Sequence, residues 1–309
     1  MTLLYYDPVF LQHQTGSHPE CPDRLPPVVR HLNFISLDAF CRRPAWEIAT
    51  KQQLQLVHTP EYIHSVELFA AGGGGYIEQD TVVCPQSYHV ARMAVGAVCD
   101  AVDRVCAGED TTAFCLVRPP GHHAMPDHPM GFCLFNNIAI AARHAQQTAG
   151  VGQVLIVDFD VHHGNGTQAT FWQDATVGFL SMHRYPFYPG TGAEDETGAG
   201  PGLGATCNIP VQWGTPRSRQ LDMFRQRLHE FAARIKPELI LISAGFDSHK
   251  DDPIGSLGLE SDDFAAFTRD IIEVARAHTH GRIVSMLEGG YNPLALAECV
   301  EQHLHELVG

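Results

Sequence analysis

The sequence lacks three features that mark large classes of protein: a long hydrophobic run, a cysteine framework and a basic surface. No run of about 18 apolar residues occurs, so no segment is predicted to span a membrane. The nine cysteines include no CxxC pair, and an odd number of scattered thiols is typical of a reducing compartment. The first residues, MTLLYYDPVF, lack the basic residues that open a signal peptide. We therefore expect a cytoplasmic protein.

Basic charge is scarce, with 20 Lys and Arg against 35 Asp and Glu and a net charge of -15. Such an acidic surface repels phosphate and anionic lipid, which argues against nucleic-acid and membrane partners, whereas cationic substrates would be attracted. Hydrophobic residues make up 44% of the 309 positions, enough for a large core. Because no repeat, low-complexity tract or long polar linker interrupts the chain, we expect one domain over residues 1–309.

Short apolar runs recur between helical patterns. Five runs do not alternate with polar residues, which indicates strands buried on both faces: 112–117, 154–159, 177–182, 239–244 and 282–287. Apolar stripes at helical spacing predict helices over 87–106, 217–235 and 261–278, the last with a possible cap at Ser261. Alternating strands and helices predict an α/β fold with a parallel sheet.

Polar side chains follow each of these strands at the point where the strand ends. The sequences RPPGHH, DFDVHHG, GFD and EGGY come directly after four of the apolar runs, and His183 follows the fifth. Ligands of open parallel sheets bind at the carboxyl ends of the strands. Residues distant in sequence are therefore predicted to meet at one edge of the sheet.

A metal site is the first function that these residues suggest. Asp160 and His162 lie two positions apart, so on an extended segment their side chains point the same way. A carboxylate oxygen with an imidazole nitrogen suits a divalent ion such as zinc. Asp247 is the best candidate for a third ligand. Three protein ligands would leave a position open for water and substrate, as in catalytic zinc sites.

An acid/base pair and a hydroxyl donor could complete such a site. His122 and His123 follow a tight Pro-Pro-Gly turn, and they could act on a water molecule if Asp158 and Asn165 orient them. Two loop histidines bonded to backbone would be the simpler interpretation. Tyr291 follows two glycines and could stabilise a transition state, although a single tyrosine is more often a packing residue.

Five ordered motifs resemble the histone deacetylase family, including bacterial deacetylase-like amidohydrolases and acetylpolyamine amidohydrolases. They are RPPGHHA (118–124), GFCLFNN (131–137), DFDVHHGNGTQ (158–168), SAGFDSHKDDP (243–253) and LEGGYN (287–292). HPECPDRL (18–25) is similar to the family's HPExPxRL opening, so the resemblance covers nearly the whole chain. LEGGYN and HHGNG are more similar to class II members than to class I.

The resemblance implies a three-layer arginase/deacetylase-type fold, with an eight-stranded parallel sheet flanked by helices. It implies one zinc ion held by Asp160, His162 and Asp247. His123 would act as general base and then general acid, and His122, paired with Asp158, would act mainly through its charge. Asn165 stands where class I members often carry aspartate, which should lower the pKa of His123 relative to a His–Asp pair.

Further site residues follow from the resemblance alone. Tyr291 would polarise the amide carbonyl, and Arg24 would lie near an exit route for acetate, or simply form a structural ion pair. Residues expected to bind the substrate are Gly131, Phe132, Tyr188 and Ile254. Residues expected to hold a potassium ion are Asp158, Asp160, His162, Ser181 and Met182.

The implied activity is removal of an acetyl or other acyl group from a lysine side chain in a protein or peptide, with release of acetate. An acetylated polyamine is the alternative substrate. Polyamine selectivity needs an acidic gatekeeper, and the apolar Ile254 stands at that position, although the acidic residues 194–196 could attract a polyamine. An arginase-like binuclear manganese hydrolase or an inactive acetyl-lysine reader would fit the motifs less well. An oligomer is possible, and the state of assembly stays open.

Overall fold

The computed structural model describes all residues from 1 to 309, and ten strands organise it. The strands are β1 (Thr2–Tyr5), β2 (Cys41–Arg42), β3 (Gly75–Glu78), β4 (Thr81–Val83), β5 (Thr112–Cys115), β6 (Val154–Asp158), β7 (Val177–Arg184), β8 (Thr206–Val211), β9 (Leu239–Ala244) and β10 (Ile283–Leu287). Eight of them form one sheet in the order β2-β1-β5-β10-β9-β6-β7-β8. Every pairing in this sheet is parallel, which confirms the predicted eight-stranded parallel sheet.

Nine α-helices connect and cover the strands. They are α1 (Leu25–Phe34), α2 (Lys51–Leu54), α3 (Pro60–Ala71), α4 (Ser87–Cys106), α5 (Asn137–Thr148), α6 (Asn165–Phe171), α7 (Arg217–Ile235), α8 (Ser261–His278) and α9 (Pro293–Val308). Helices α1, α9, α8 and α7 pack side by side over one face of the sheet, and α4 and α5 pack together on the other. The result is three layers with the sheet in the middle.

The central strands are apolar on both sides because both faces are covered. All residues of β5, β6, β9 and β10 are buried, and their apolar members belong to one continuous core that includes the inner faces of the helices. This explains why the runs in the sequence do not alternate. None of the helices is both long and apolar enough to cross a membrane.

The predicted boundaries of the long helices agree with the structure, except for one cap. Helix α8 begins at Ser261, but the capping residue is Glu260, whose side chain accepts from the backbone of the first turn. The Asp263 carboxylate completes a capping box by accepting from the Glu260 N–H at 2.8 Å. A carboxylate at this position also complements the positive end of the helix dipole, so Ser261 is the first helical residue rather than the cap.

Candidate active site

Four neighbouring strands bring the predicted site residues to one edge of the sheet. β5, β10, β9 and β6 are adjacent, and their carboxyl ends lead into the segments that carry His122, Tyr291, Asp247 and Asp160 respectively. Parallel pairing alone accounts for this meeting, because parallel strands end at the same edge of a sheet.

Three buried donor groups converge at the centre of this edge. The Nδ1 atom of His162 lies 3.0 Å from Asp160 Oδ1 and 3.1 Å from Asp247 Oδ2. All three residues are buried, and their donor atoms lie within 4.8 Å of one another. Zinc bonds of about 2.0–2.2 Å need donors at this kind of separation. The predicted ligands therefore form a compact set that fits a single divalent ion.

The remaining carboxylate oxygens are anchored by backbone N–H groups. Asp160 Oδ2 accepts from Gly289 N at 2.8 Å, and Asp247 Oδ1 accepts from Val161 N at 2.8 Å. Asp247 Oδ2, however, is buried and makes no well-aligned hydrogen bond, although His162 Nδ1 lies 3.1 Å away. An unpaired buried oxygen is costly in a folded protein. The oxygen points towards His162 and Asp160, and a cation bound between these three residues would satisfy it.

Electrostatics also favour a cation between the two carboxylates. Burial raises the pKa of Asp247 to about 7, and the negative charge of Asp160 contributes to the increase. Two buried carboxylates this close cannot both ionise at low cost unless a positive charge lies between them. In the metal-free protein His162 supplies that charge: burial alone would lower its pKa, but Asp160 and Asp247 raise it to about 10. A divalent ion would supply that charge and keep both groups deprotonated.

Two glycines let the strand ends approach the ligands. A Cβ atom at Gly289 would lie 2.2 Å from Asp247 Oδ2, and a Cβ atom at Gly245 would lie 2.1 Å from Asp160 Oδ2. Any side chain at either position would displace a carboxylate. Gly290, the second glycine of LEGGY, has a φ of +120°, a conformation that favours glycine. Both glycines of that motif are therefore needed for the local structure.

The two tandem histidines lie next to the donor cluster with different partners. His122 Nδ1 lies 2.9 Å from Asp158 Oδ2, and His123 Nδ1 lies 2.7 Å from Asn165 Oδ1. Their ring centroids are 4.0 Å apart. Asp158 and Asn165 therefore lie where the sequence predicts the orienting groups, and His123 is the imidazole of the pair that lines the neighbouring cavity.

The partners give the two histidines opposite pKa shifts. Burial alone would lower the pKa of His122, but the carboxylates of Asp158, Asp160 and Glu288 together raise it to about 10. Burial lowers the pKa of His123, and a positive charge on His122 lowers it further. At neutral pH, His122 is thus the charged member of the pair and His123 the neutral one, able to accept a proton.

A mostly apolar cavity of about 250 Å³ leads to this centre. All four residues predicted to bind substrate line it, together with His123, His162 and Tyr291: they are Gly131, Phe132, Tyr188 and Ile254. Position 131 must be a glycine, because a Cβ atom there would lie 2.3 Å from the His123 ring. The sequence motifs do not indicate two further lining residues, Asp80 and Phe187. Phe187 stacks on His162 at 5.4 Å and could have been found from its position beside Tyr188.

Tyr291 and Arg24 lie against each other beside the cavity. The Arg24 guanidinium is 4.9 Å from the centre of the Tyr291 ring. It donates to the Gly290 and Glu288 carbonyls at 2.7 Å each, and it pairs with Glu20 at 3.3 Å. Arg24 is 1% exposed, so it lies behind the site, as expected. The structure thus shows a buried ion pair at the place where the resemblance puts an exit route.

The residues predicted to hold potassium also gather in one place. Asp158 on β6 pairs in register with Ser181 on β7, and Met182 follows Ser181. The Ser181 hydroxyl contacts His183 Nδ1 at 2.9 Å. Asp160 and His162 continue from β6, so the potassium and zinc predictions share one segment.

A second group of metal-ligating side chains lies on the surface between α7 and α8. His229, Asp270 and Glu273 come within ligand distance of one another. Arg225 already pairs with Asp270 at 3.0 Å and lies 3.6 Å from Glu273. Arg225 therefore compensates the negative charge of this surface group, whereas no arginine pairs with Asp160 or Asp247.

Comparison with known proteins agrees with this geometry. The model of the histone deacetylase domain matches residues 18–307. The chain belongs to the histone deacetylase family. A histone deacetylase-like amidohydrolase of Pseudomonas aeruginosa is 35% identical over 95% of this chain and 78% of its own length. The human polyamine deacetylase HDAC10 is 38% identical over 99% of this chain and 48% of its own length.

The fold is confirmed by a solved relative. The crystal structure of the HDA15 HD domain superimposes with a TM-score of 0.92 at 35% sequence identity, covering all of this chain and 89% of that one. Membership of the family and the names of its relatives support a hydrolase of the deacetylase type.

Proposed function

We propose that this chain, as one catalytic domain over residues 1–309, is a zinc-dependent amidohydrolase that removes acetyl or other acyl groups from lysine side chains in proteins or peptides. One observation carries the proposal: the buried oxygen of Asp247 that makes no well-aligned hydrogen bond points into a three-donor cluster. His162 of that cluster lines an apolar cavity together with His123 and Tyr291. An apolar cavity of about 250 Å³ would accept an aliphatic chain that ends in an amide.

Zinc would be held by Asp160, His162 and Asp247, and when bound it would supply the Lewis acidity that polarises an amide carbonyl and makes water more acidic. His123 is neutral and is oriented by Asn165. It would accept the proton of the attacking water at its free Nε2 atom. The same proton can then pass to the leaving amine, which completes the cleavage of the C–N bond.

His122 and Tyr291 would act without changing their own protonation state. His122 is held positively charged by Asp158, so it stabilises negative charge that develops beside it. Burial raises the pKa of Tyr291 well above its usual value, so the hydroxyl keeps its proton and can donate to the carbonyl oxygen as that atom becomes negative.

The cavity wall favours acyl-lysine over acetylated polyamine. Ile254 and Phe132 are apolar, and the aliphatic stem of a lysine side chain would pack between them. The polyamine substrate has support of its own, because one acidic residue, Asp80, lies at the cavity and could attract a second ammonium group. Asp80 already accepts from Gly131 N at 3.2 Å and from the Thr81 hydroxyl at 2.9 Å, which reduces its availability.

A binuclear hydrolase and an inactive reader have less support. A binuclear manganese site would need additional carboxylates beside the three donors, and Asp158 is taken by His122. An inactive reader would need none of the proton-transfer groups that surround the cavity. We propose a cytoplasmic location, since all nine cysteines are free thiols, and a potassium ion at the Asp158–Ser181 segment.

The substrate proposal is tested by deacylation across a panel with zinc-loaded protein: acetyl-lysine peptides, longer acyl-lysines, acetylputrescine and acetylspermidine. The proposal is supported if the protein hydrolyses acyl-lysine peptides preferentially and if this hydrolysis is lost in Tyr291→Phe and after chelation of the metal. A preference for acetylated polyamines would contradict the acyl-lysine assignment and favour an acidic group such as Asp80 over Ile254 as the determinant of selectivity. No hydrolysis of any compound by metal-loaded protein would contradict the enzyme assignment.

A further inference from the structure

A single buried carboxylate, that of Asp252, joins the segment that carries Tyr291 to the segment that carries Ile254. Asp252 Oδ2 accepts from Tyr291 N at 2.7 Å. Asp252 Oδ1 accepts from Ile254 N at 2.9 Å and from Gly255 N at 3.0 Å. Both oxygens are thus used by backbone donors, and no basic side chain lies within salt-bridge distance of Asp252.

The arrangement depends on a carboxylate. A deprotonated carboxyl group is an acceptor on both sides, so it can receive N–H groups from two different segments at once. An asparagine at this position would turn its NH2 group towards at least one of those N–H donors. One of the two segments would then lose its hydrogen bond at a buried site.

The segment before Tyr291 needs an anchor of this kind. It contains Gly289 and Gly290, which allow the sharp turn but add little rigidity of their own. Arg24 fixes the Gly290 carbonyl from behind at 2.7 Å. The Tyr291 N–H is the next backbone group along the chain, and its partner is Asp252.

The same loop is tied to a proposed metal ligand. Ser256 N donates to the carbonyl of Asp247 at 2.6 Å, so residues 247–256 form a closed loop that starts at Asp247. Asn292 Nδ2 donates to the Asp251 carbonyl at 3.0 Å and adds a second link to the tyrosine segment. Asp252 therefore lies between the ligand loop, the cavity wall and the tyrosine.

We propose that Asp252 is a positioning residue, which sets the place of the Tyr291 hydroxyl relative to the ligand Asp247 and fixes Ile254 in the cavity wall. This inference rests on the proposed amidohydrolase function, because it assigns Asp252 a role through the hydroxyl of Tyr291. Asp252 itself touches no reacting atom. Its effect on the reaction comes from the geometry it imposes.

The test is a double-mutant cycle with zinc-loaded protein. Asp252→Asn is made in the wild-type and Tyr291→Phe backgrounds, with Asp252→Ser as a second variant in case the first folds poorly. The control is Asp174→Asn: Asp174 Oδ1 also accepts from the backbone N–H two residues on, at 2.7 Å from Thr176 N, but Asp174 precedes β7 at the opposite edge of the sheet. Asp174 also pairs with Arg143 at 2.5 Å, so its replacement removes at least as many local contacts as are needed for a stringent control.

We expect Asp252→Asn to lower kcat about 10- to 100-fold, the scale of a roughly 1 Å misplacement of a catalytic group. KM should change less, and zinc content should stay at the wild-type level. In the Tyr291→Phe background the further loss should be under about twofold, because residues that act as a unit are not additive. An equal loss in both backgrounds, or no loss beyond that of Asp174→Asn, would overturn the proposal.

Amide hydrogen exchange gives a readout that does not depend on activity. Asp252→Asn should speed exchange in residues 289–292 and 252–256, whereas Asp174→Asn should not. If wild-type protein hydrolyses nothing, the proposed function fails, and this exchange result alone decides whether Asp252 holds the two segments. Unchanged exchange in both segments would refute the positioning role.

Discussion

Replacing Gly289 by alanine should strongly weaken zinc binding while leaving the fold intact. An alanine Cβ would lie 2.2 Å from Asp247 Oδ2 and 2.6 Å from Asp160 Oδ2, whereas ordinary contacts begin near 3.4 Å. The carboxylates must therefore move by about 1 Å, several times the tolerance of about 0.2 Å in metal–ligand distances. Gly289 does not have a positive φ, so alanine adds no backbone strain of its own.

The expected consequence is a fall in zinc affinity of at least about 100-fold, the upper end of what outer-shell changes cause. A factor of 100 corresponds to about 3 kcal/mol of binding free energy. The assay is a competitive zinc titration of metal-free protein, with circular dichroism to verify the fold. The matched control is Gly152→Ala, whose Cβ would contact only the far end of the exposed Glu238 side chain at 3.0 Å.

Wild-type zinc affinity in Gly289→Ala would refute the reasoning, because it would mean that Asp160 and Asp247 do not hold the metal together. Loss of affinity in both glycine variants would indicate a general destabilisation instead of a local collision. Only a loss confined to Gly289→Ala agrees with the geometry.

Three other predictions follow from pKa values. Burial lowers the pKa of His303 to about 3, so the unfolded chain binds the extra proton first as pH falls below about 6.5. The contribution of His303 to the free energy of unfolding is complete above that pH and should fall by about 2 kcal/mol at pH 5. Urea unfolding of His303→Asn should show a smaller loss of stability between pH 7 and pH 5 than the wild type. An equal loss in both proteins would contradict this assignment. Asn165→Asp should raise the pKa of His123 and move the acidic limb of the kcat/KM profile to higher pH, whereas an unmoved limb would argue against His123 as the base. Burial alone would raise the pKa of Cys84, but hydrogen bonds, including one from His13, lower it to about 6, so mass spectrometry should find it alkylated first by iodoacetamide at pH 7.

The strands and the proposed metal ligands were accessible from sequence because their signals are local. Each central strand is a short apolar run, and Asp160, His162 and Asp247 follow such runs directly. A parallel sheet then forces these ends together without further information. The motif GHH likewise suggests an acid/base pair, and the structure places the two imidazole centroids 4.0 Å apart.

Other features depend on contacts between distant residues and could not be predicted in this way. The strand β8 contains Asn208 and Pro210 and belongs to no uniform apolar run, so its place at the edge of the sheet follows only from pairing with β7. Asp80 reaches the cavity from the β3–β4 hairpin, which no motif marks. Asp252 lies inside a recognised motif, but its link to Tyr291 spans 39 positions.

Glu288 also lies inside a recognised motif, but its contacts with distant residues could not be predicted from the sequence. Its carboxylate accepts from Gly121 N at 2.6 Å and from the Ser243 hydroxyl at 3.0 Å, and burial raises its pKa to about 7. It therefore joins the ends of three strands beneath the histidines. The sequence LEGGY suggests a role for the glycines and the tyrosine, whereas the role of the glutamate becomes visible only when the strands are placed side by side.

The most direct test of the central claim is a zinc titration of metal-free protein, followed by hydrolysis of an acetyl-lysine peptide. The proposed site predicts that activity rises linearly and stops at one zinc ion per chain, and that Asp247→Asn, tested at the same zinc concentrations, stays inactive. Full activity without metal, or wild-type activity in Asp247→Asn, would contradict a metal-dependent amidohydrolase centred on Asp160, His162 and Asp247.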